Sequence, residues 1–439
     1  MFATEEKNMS LANDIEKLSS RLNRKDDPAW LINLRQEGTA RFLELGIPTV
    51  KNEEWKYTNL SSLSAAKYHH MEKGHFTERA KLNAFCGPDE ITVVFVNGTL
   101  SPELSHFRSL PSGMILVDLH EALKQYQPQI DALLKKYDTN KESAFIALNK
   151  SLTREGVFLM VKDKAVIEPL IHIIHVTQAA NESITAPRAI ILMGMSSEAT
   201  VLESHLAFLD HSAYCSIPLT DISIGENATL HYCKAQSESR NAFHIGTTRV
   251  WQERNSNFDG FSLMTGGLIT RNNLDVIVNG EGSSSILNGF YGTDKKQHVD
   301  NHSTVDHRVP NCTSNQLYKG ILNGQSHTVF NGKIFVRPIA QQTNSYQLNK
   351  NLILGTDCRV DTKPQLEIFA DDVKCTHGAT IGQLNEEEIF YLQTRGITKK
   401  AAVKLLAHGF VEDILNKIHN PAIIKKLTIL LEPTFAALE

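Results

Sequence analysis

The chain lacks most of the residue patterns by which an activity is usually recognised. Its six cysteines, at positions 86, 215, 233, 312, 358 and 375 of 439 residues, form no Cys-x-x-Cys pair. That spacing argues against a zinc ribbon or a self-contained ferredoxin-type cluster site. Thiols so scattered in so long a chain read as reduced cysteines rather than a disulfide framework. Neither sign of charge is in excess: 45 Lys and Arg stand against 49 Asp and Glu, a net charge of −4. Nothing electrostatic therefore favours nucleic acid. No apolar run reaches the ~20 residues a membrane helix needs. The first residues, MFATEEKNMSLANDIEKL, are acidic and polar, unlike a signal or transit peptide, so a cytoplasmic protein is expected. There is no Gly-x-x-x-x-Gly-Lys-Ser/Thr phosphate loop, Gly-x-Ser-x-Gly elbow, His-Glu-x-x-His pair or dinucleotide fingerprint. The usual equipment of a self-sufficient enzyme is missing.

What is present is organised by period. Leu11, Ile15, Leu18 and Leu22 form one apolar stripe, so residues 9–45 read as helix, with a second stretch from Trp30 to Leu45 stopped by Gly46 and Pro48. The polar segment Pro48–Thr58 reads as a loop that Trp55 and Tyr57 anchor to the body. Ile91–Val96 followed by Asn97-Gly98 reads as strand and turn. Helix is expected over 119–136, interrupted at Pro128.

From Gly156 onward short β-type runs dominate, among them Val157–Val161, Ile171–Val176 and Ala189–Met193. Segments ending in Val201, Leu230, Ile286 and Val329 resemble one another at intervals of 29, 56 and 43 residues. No strict period emerges, but an imperfect coil with loop insertions is compatible. A β-sandwich and a parallel β-helix both fit. The many short strands ending in Gly or Asn favour the β-helix. Residues 385–439 turn helical: Glu386–Thr394, Lys399–His408 with Thr398 as N-cap and Gly409 as terminator, Val411–His419, and a last helix carrying Ile423, Leu427, Leu430 and Leu431. These helices can cap the β body, dock a partner, or both. The expected organisation is an N-terminal helical and mixed α/β region over 1–150, a β core over 151–382 and a helical domain over 383–439.

Four constellations carry chemistry. Cys375 and His377 sit at the seam between β and helical patterns; at i and i+2 of a strand they share a face and offer soft ligands for iron or sulfide. Two side chains leave a four-ligand site incomplete. His298, Asp300 and His302 would likewise share a strand face, as a metal site or, by the commoner outcome, as a hydrogen-bonded polar ladder. Cys358 beside Arg359 is either an activated thiol or, more commonly for such a residue, a small buried one. Phe390, Tyr391 and Arg395 suit an interface hot spot or ordinary packing.

Several motifs together resemble one family. They are Ala370–Gly382, with its Lys374-Cys375-Thr376-His377 centre; Phe390–Ile397; His307–Gln316; Val329–Ile334; and Lys51–Thr58. Their sequences are similar to the SufB/SufD family of iron–sulfur cluster assembly proteins, nearer its SufD branch. The resemblance implies a right-handed parallel β-helix core, helical at both ends. It implies a scaffold without ATPase activity that pairs with SufB through the β-helix and recruits the ABC-type ATPase SufC through its C-terminal helices, where Phe390, Tyr391 and Arg395 would dock. It implies that Cys375 and His377 lie at the SufB interface, where iron or a nascent cluster is held transiently, with His377 as an iron ligand and SufB supplying the rest. A homodimeric scaffold working alone is the nearest alternative. A β-helix carbohydrate-active enzyme is more distant, because adjacent Asp371 and Asp372 would face opposite ways in a strand.

Overall fold

In a computed structural model, the described residues are 14–71, 76–107, 109–137, 142–178, 182–208 and 212–437. Leu11, the first residue of the expected N-terminal stripe, lies outside them. The core is a parallel β-solenoid of about seven turns, mainly β and flanked by helices on both sides. The β-sandwich alternative is therefore excluded.

From Gly156–Val161 onward the long strands alternate between two sheets. One runs from Met114–Asp118 through Gly156–Val161, Arg188–Met193, Leu219–Ile224, Phe243–Gln252, Ile269–Val278, His298–His307 and His327–Val336 to Arg359–Ile368. The other runs from Ile91–Val96 through Val166–Val176, Glu198–Leu206, Thr229–Ser237, Asn257–Met264, Ser284–Thr293, Thr313–Leu322 and Thr343–Ile353 to Val373–Gly382. From Gly156–Val161 onward every rung along these two stacks is parallel. Ile91–Val96 is a strand as predicted. It turns at Asn97 and Gly98, both with positive φ, into an antiparallel pairing with Thr99–Leu100, and its other edge joins the second sheet beside Val166–Val176.

One corner recurs. On seven of the eight passages from the first sheet to the second, all but the last before Val373–Gly382, a residue adopts positive φ: Lys164, Ser196, Asn227, Asn255, Gly282, Asn311 and Gln342. This conformation disfavours most side chains but is tolerated by Gly and Asn, which accounts for the residue at four of the seven corners; Lys164, Ser196 and Gln342 adopt it without that advantage. Successive corners are 27 to 32 residues apart. The intervals of 29, 56 and 43 between the look-alike segments are thus one, two and one and a half coils.

Inside, Val157, Leu159, Ile173, Ile191, Val201, Ile222, Leu230, Val250, Phe258 and Leu287 form a continuous apolar column system. The outer face of the first sheet is covered by N-terminal helices: Leu31, Leu34, Leu119 and Leu133 pack on Phe158 and Ile190. The outer face of the second is covered by C-terminal helices: Ala407, Val411, Ile414, Leu427 and Leu431 pack on Leu202, Phe261, Leu263 and Phe290. The break at Pro128 is present, dividing Leu119–Gln125 from Gln127–Leu134.

One boundary differs from expectation. Gly409 does not end a helix; Lys399–Leu415 runs through it. A mid-helix Gly costs about 1 kcal/mol against Ala, less than the burial of Ala407, Val411 and Ile414 on one continuous face returns. Thr398 is the N-cap, its hydroxyl accepting from Ala401 N at 3.3 Å, and Asn420 caps Pro421–Ala436.

Candidate functional site

Both sheets stop abruptly. Arg359–Ile368 and Val373–Gly382 are each the terminal strand of their sheet, paired on one edge only among the described residues. The solenoid therefore ends in two adjacent open edges. Such edges present unpaired backbone groups ready to accept a further strand.

Cys375 and His377 lie on the last strand. Their ladder partners show which way they face. Cys375 continues the column Ser285–Ser314–Ser345, and His377 continues Leu287–Gln316–Gln347. All six preceding residues are buried, so both columns point into the solenoid. Cys375 is half-buried and His377 exposed because no further coil covers them. Cys375 packs with Leu366 and Val373 against Ile334, Val336, Ala340 and Ala370. Burial pushes its thiol pKa up, opposed by a backbone hydrogen bond at Ser345, so the free thiol is protonated at neutral pH and a bound cation would be needed to hold it as thiolate. Beneath His377, both amide atoms of buried Gln347 lack a hydrogen-bond partner. The Gln347 amide lies against the backbone of Gly332, where no Cβ could fit. The open end thus offers one imidazole and one thiol facing the solenoid interior, with one idle amide beneath them.

His298, Asp300 and His302 do share a strand and a polar assembly, but it is filled from within the chain. Asp300 accepts from Arg271 at 2.8 Å and Thr58 at 2.5 Å, and lies 3.0 Å from His302 Nε2. Burial would raise its pKa, but Arg271 and His302 override this and hold the carboxyl far below the carboxylate range. His298 contacts the Thr58 hydroxyl at 2.8 Å and His327 Nδ1 at 3.1 Å. The partner of this ladder is the N-terminal Lys51–Thr58 segment. Trp55 is buried beside Phe145 and under the Arg271 guanidinium, 4.1 Å from its ring centroid. Glu54 is held at about 2 by its hydrogen bond to His302. Tyr57, the other expected anchor, is half-buried.

The remaining candidates are scattered. The Cys358 thiol donates to Gly324 O at 3.5 Å, whereas Arg359 turns to Asp361 at 2.8 Å, so Arg359 is engaged elsewhere. Cys312 is buried against Pro310 O at 3.2 Å. Phe390 and Tyr391 stand 68% and 57% exposed on Glu386–Thr394, while Ile389 of the same helix is buried. The Arg395 guanidinium reaches Tyr391 Oη at 3.0 Å. This aromatic–cation patch is separate from the packed face of the C-terminal helices. Lys319 fixes the next helix to the solenoid through Asp413 at 2.6 Å and Phe410 O at 2.9 Å.

Known proteins match this sequence along nearly its whole length. Residues 175–410 match the SUF system FeS cluster assembly SufBD core domain, and residues 11–173 match the SufBD protein N-terminal region. An iron–sulfur cluster assembly SufBD family protein of Synechocystis is 31% identical over 399 residues, 88% of this chain and 87% of that one. The iron–sulfur cluster assembly protein SufD of Escherichia coli is 30% identical over 389 residues, 88% of each chain. SufD of Bacillus subtilis is 23% identical over 435 residues, 96% of this chain and 98% of that one. With its solenoid and N-terminal region both matched, this chain belongs to the SufBD family of iron–sulfur cluster assembly proteins.

Proposed function

We propose that the chain is a non-ATPase scaffold subunit of a cytoplasmic iron–sulfur cluster assembly complex, pairing with SufB through the open end of its solenoid and recruiting the ATPase SufC. The observation that carries this reading is the position of Cys375 and His377 on an unpaired terminal strand. A second solenoid abutting these edges would continue both sheets and bury the two side chains. Iron or a nascent cluster, the cargo of the complex, would then be held by His377 and Cys375 together with ligands from SufB. On this reading residues 1–150 form the N-terminal region, 151–382 the solenoid and 383–439 the docking domain. Phe390, Tyr391 and Arg395 would receive SufC, which supplies the phosphate-binding loop this sequence lacks. Movement of the ATPase pair would reach the interface through the C-terminal helices packed along the second sheet, as a domain-level switch.

The test is co-expression with SufB and SufC and purification through a tag on this chain. Co-elution of both is expected; absence of both would overturn the reading. The same open edges also suit a second copy of the chain, so the isolated protein is expected to self-associate through them until SufB is supplied, with the oligomeric mass falling to that of the heterocomplex.

A further inference from the structure

Well away from the open end, the solenoid interior turns from apolar to polar. His175 stacks directly on His205 in the parallel ladder, with ring centroids 4.7 Å apart and planes 11° from parallel. Glu203, two residues before His205, points the same way, its Oε1 2.9 Å from His205 Nε2. All three side chains are buried, and their ligand atoms lie within 4.8 Å of one another. The sequence reading passed over them because His175 and His205 are one whole coil apart.

Three observations set this group apart from an ordinary buried polar cluster. Both ring nitrogens of His175 and Nδ1 of His205 lack a hydrogen-bond partner, although the side chains are fully enclosed. Buried polar atoms are nearly always satisfied, and each exception calls for a physical reason. The Glu203 carboxylate is already oriented from behind: Oε2 accepts from Tyr232 Oη at 2.6 Å and Thr220 Oγ1 at 2.8 Å, leaving Oε1 to face the imidazoles. Outer-shell bonds of this kind are what aim a metal-binding carboxylate. The charge balance is also open. Glu203 and Glu238 face one formal cation, Lys234, whose Nζ likewise has no partner; His244 is bound to Glu238 at 2.6 Å.

We propose that His175, Glu203 and His205 form a resident site for one first-row divalent metal ion of the zinc class, inside the solenoid and distinct from the open-end pair. Two imidazoles and a carboxylate suit such an ion and do not suit magnesium or calcium, which prefer all-oxygen shells. The His205–Glu203 separation is already that of neighbouring ligands around one ion, and a modest rotation of His175 completes the set. Lys234 flanks the site, opposite Glu203 on the next coil. The ion would tie consecutive coils together where the apolar interior gives way to charge. Because the ligands are enclosed, it would enter as the coils close during folding.

The full-length chain is produced in zinc-supplemented culture, dialysed against a weak chelator and analysed for metal by mass spectrometry. About one zinc per chain is expected in the parent and in the Cys375→Ala/His377→Ala double variant, with a loss of roughly tenfold or more in His175→Phe and Glu203→Gln. His175→Phe removes no hydrogen bond, so its metal-free form is expected to melt no lower than the metal-free parent. A metal-free but folded parent would overturn the site and leave buried water as the partner of these atoms. Full zinc retention in a folded His175→Phe would overturn it equally. If both variants fail to fold, the cobalt-grown parent decides. Nitrogen and oxygen ligation without a thiolate-to-cobalt charge-transfer band supports the site; such a band places the ion on cysteine and overturns it.

Discussion

His377 stands directly on Gln347 in the final rung of the second sheet, one residue exposed and the other wholly buried, though both side chains follow the same inward column. What separates them is only that Gln347 has a coil above it. Removing the His377 ring therefore takes nothing from the core. His377→Ala is expected to leave the isolated chain within about 0.5 kcal/mol of the parent in urea unfolding. Iron bound by the assembled complex should fall severalfold. Unchanged iron would remove His377 from the site.

Ala379, on the same strand as His377 and opposite buried Asn349 of the neighbouring strand, lies next to the proposed ligands. Ala379→Lys places a charge where a second solenoid would have to abut. Folding should be unaffected. Recovery of SufB by pull-down should drop roughly tenfold or more, since an unpaired charge in a buried interface costs several kcal/mol. Undiminished recovery would mean the partner binds elsewhere.

Phe390 and Tyr391 project from Glu386–Thr394 without contributing to the face that buries Ile389. A Phe390→Ala/Tyr391→Ala variant is expected to melt like the parent and to lose SufC while retaining SufB. Loss of both partners together would point to misfolding of the C-terminal helices rather than to a docking patch.

The Lys51–Thr58 strap acts through Trp55. Truncation of Trp55 leaves a cavity between Phe145 and Arg271, and a buried Trp→Ala change costs about 3–5 kcal/mol. Denaturant unfolding of Trp55→Ala should show a loss of this size. A loss below about 1 kcal/mol would mean the strap is not coupled to the solenoid.

Burial lowers His172, His298 and His307 from the ordinary 6.5 to about 4. Below pH 6.5 the unfolded chain takes up protons that the native chain refuses. Stability is thus lost as pH falls from 6.5 toward 4, by up to about 1.4 kcal/mol per pH unit for each imidazole. The melting temperature should be flat from pH 8 to 7 and fall steeply between 6.5 and 5. A flat profile down to pH 5 would show these rings to be solvated.

Local chemistry was legible in the residues themselves. The strand Ile91–Val96, the break at Pro128, the cap at Thr398 and the shared face of Cys375 and His377 each depend on a few neighbours along the chain. Gly409 was misread because its local cost is outweighed by packing on the solenoid that no window of sequence contains. The coil period was hidden for a related reason. Corners recur at unequal lengths, and two of the look-alike segments are separated by half-integral turns, so a search for equal spacing finds none.

By itself, then, the sequence determined that Cys375 and His377 share a strand face, because alternation of side chains along a strand is a property of two adjacent peptide units. It also marked the corners at Asn227, Asn255, Gly282 and Asn311, where left-handed backbone suits Asn and Gly locally, though not those at Lys164, Ser196 and Gln342. Only the tertiary structure decided that this pair faces inward on a coil with nothing above it, that Lys51–Thr58 closes over the His298–Asp300–His302 ladder, and that His175 meets Glu203 and His205 across a full turn. Those relations depend on register between strands some thirty residues apart, which cooperative stacking of the whole solenoid sets and no short segment encodes.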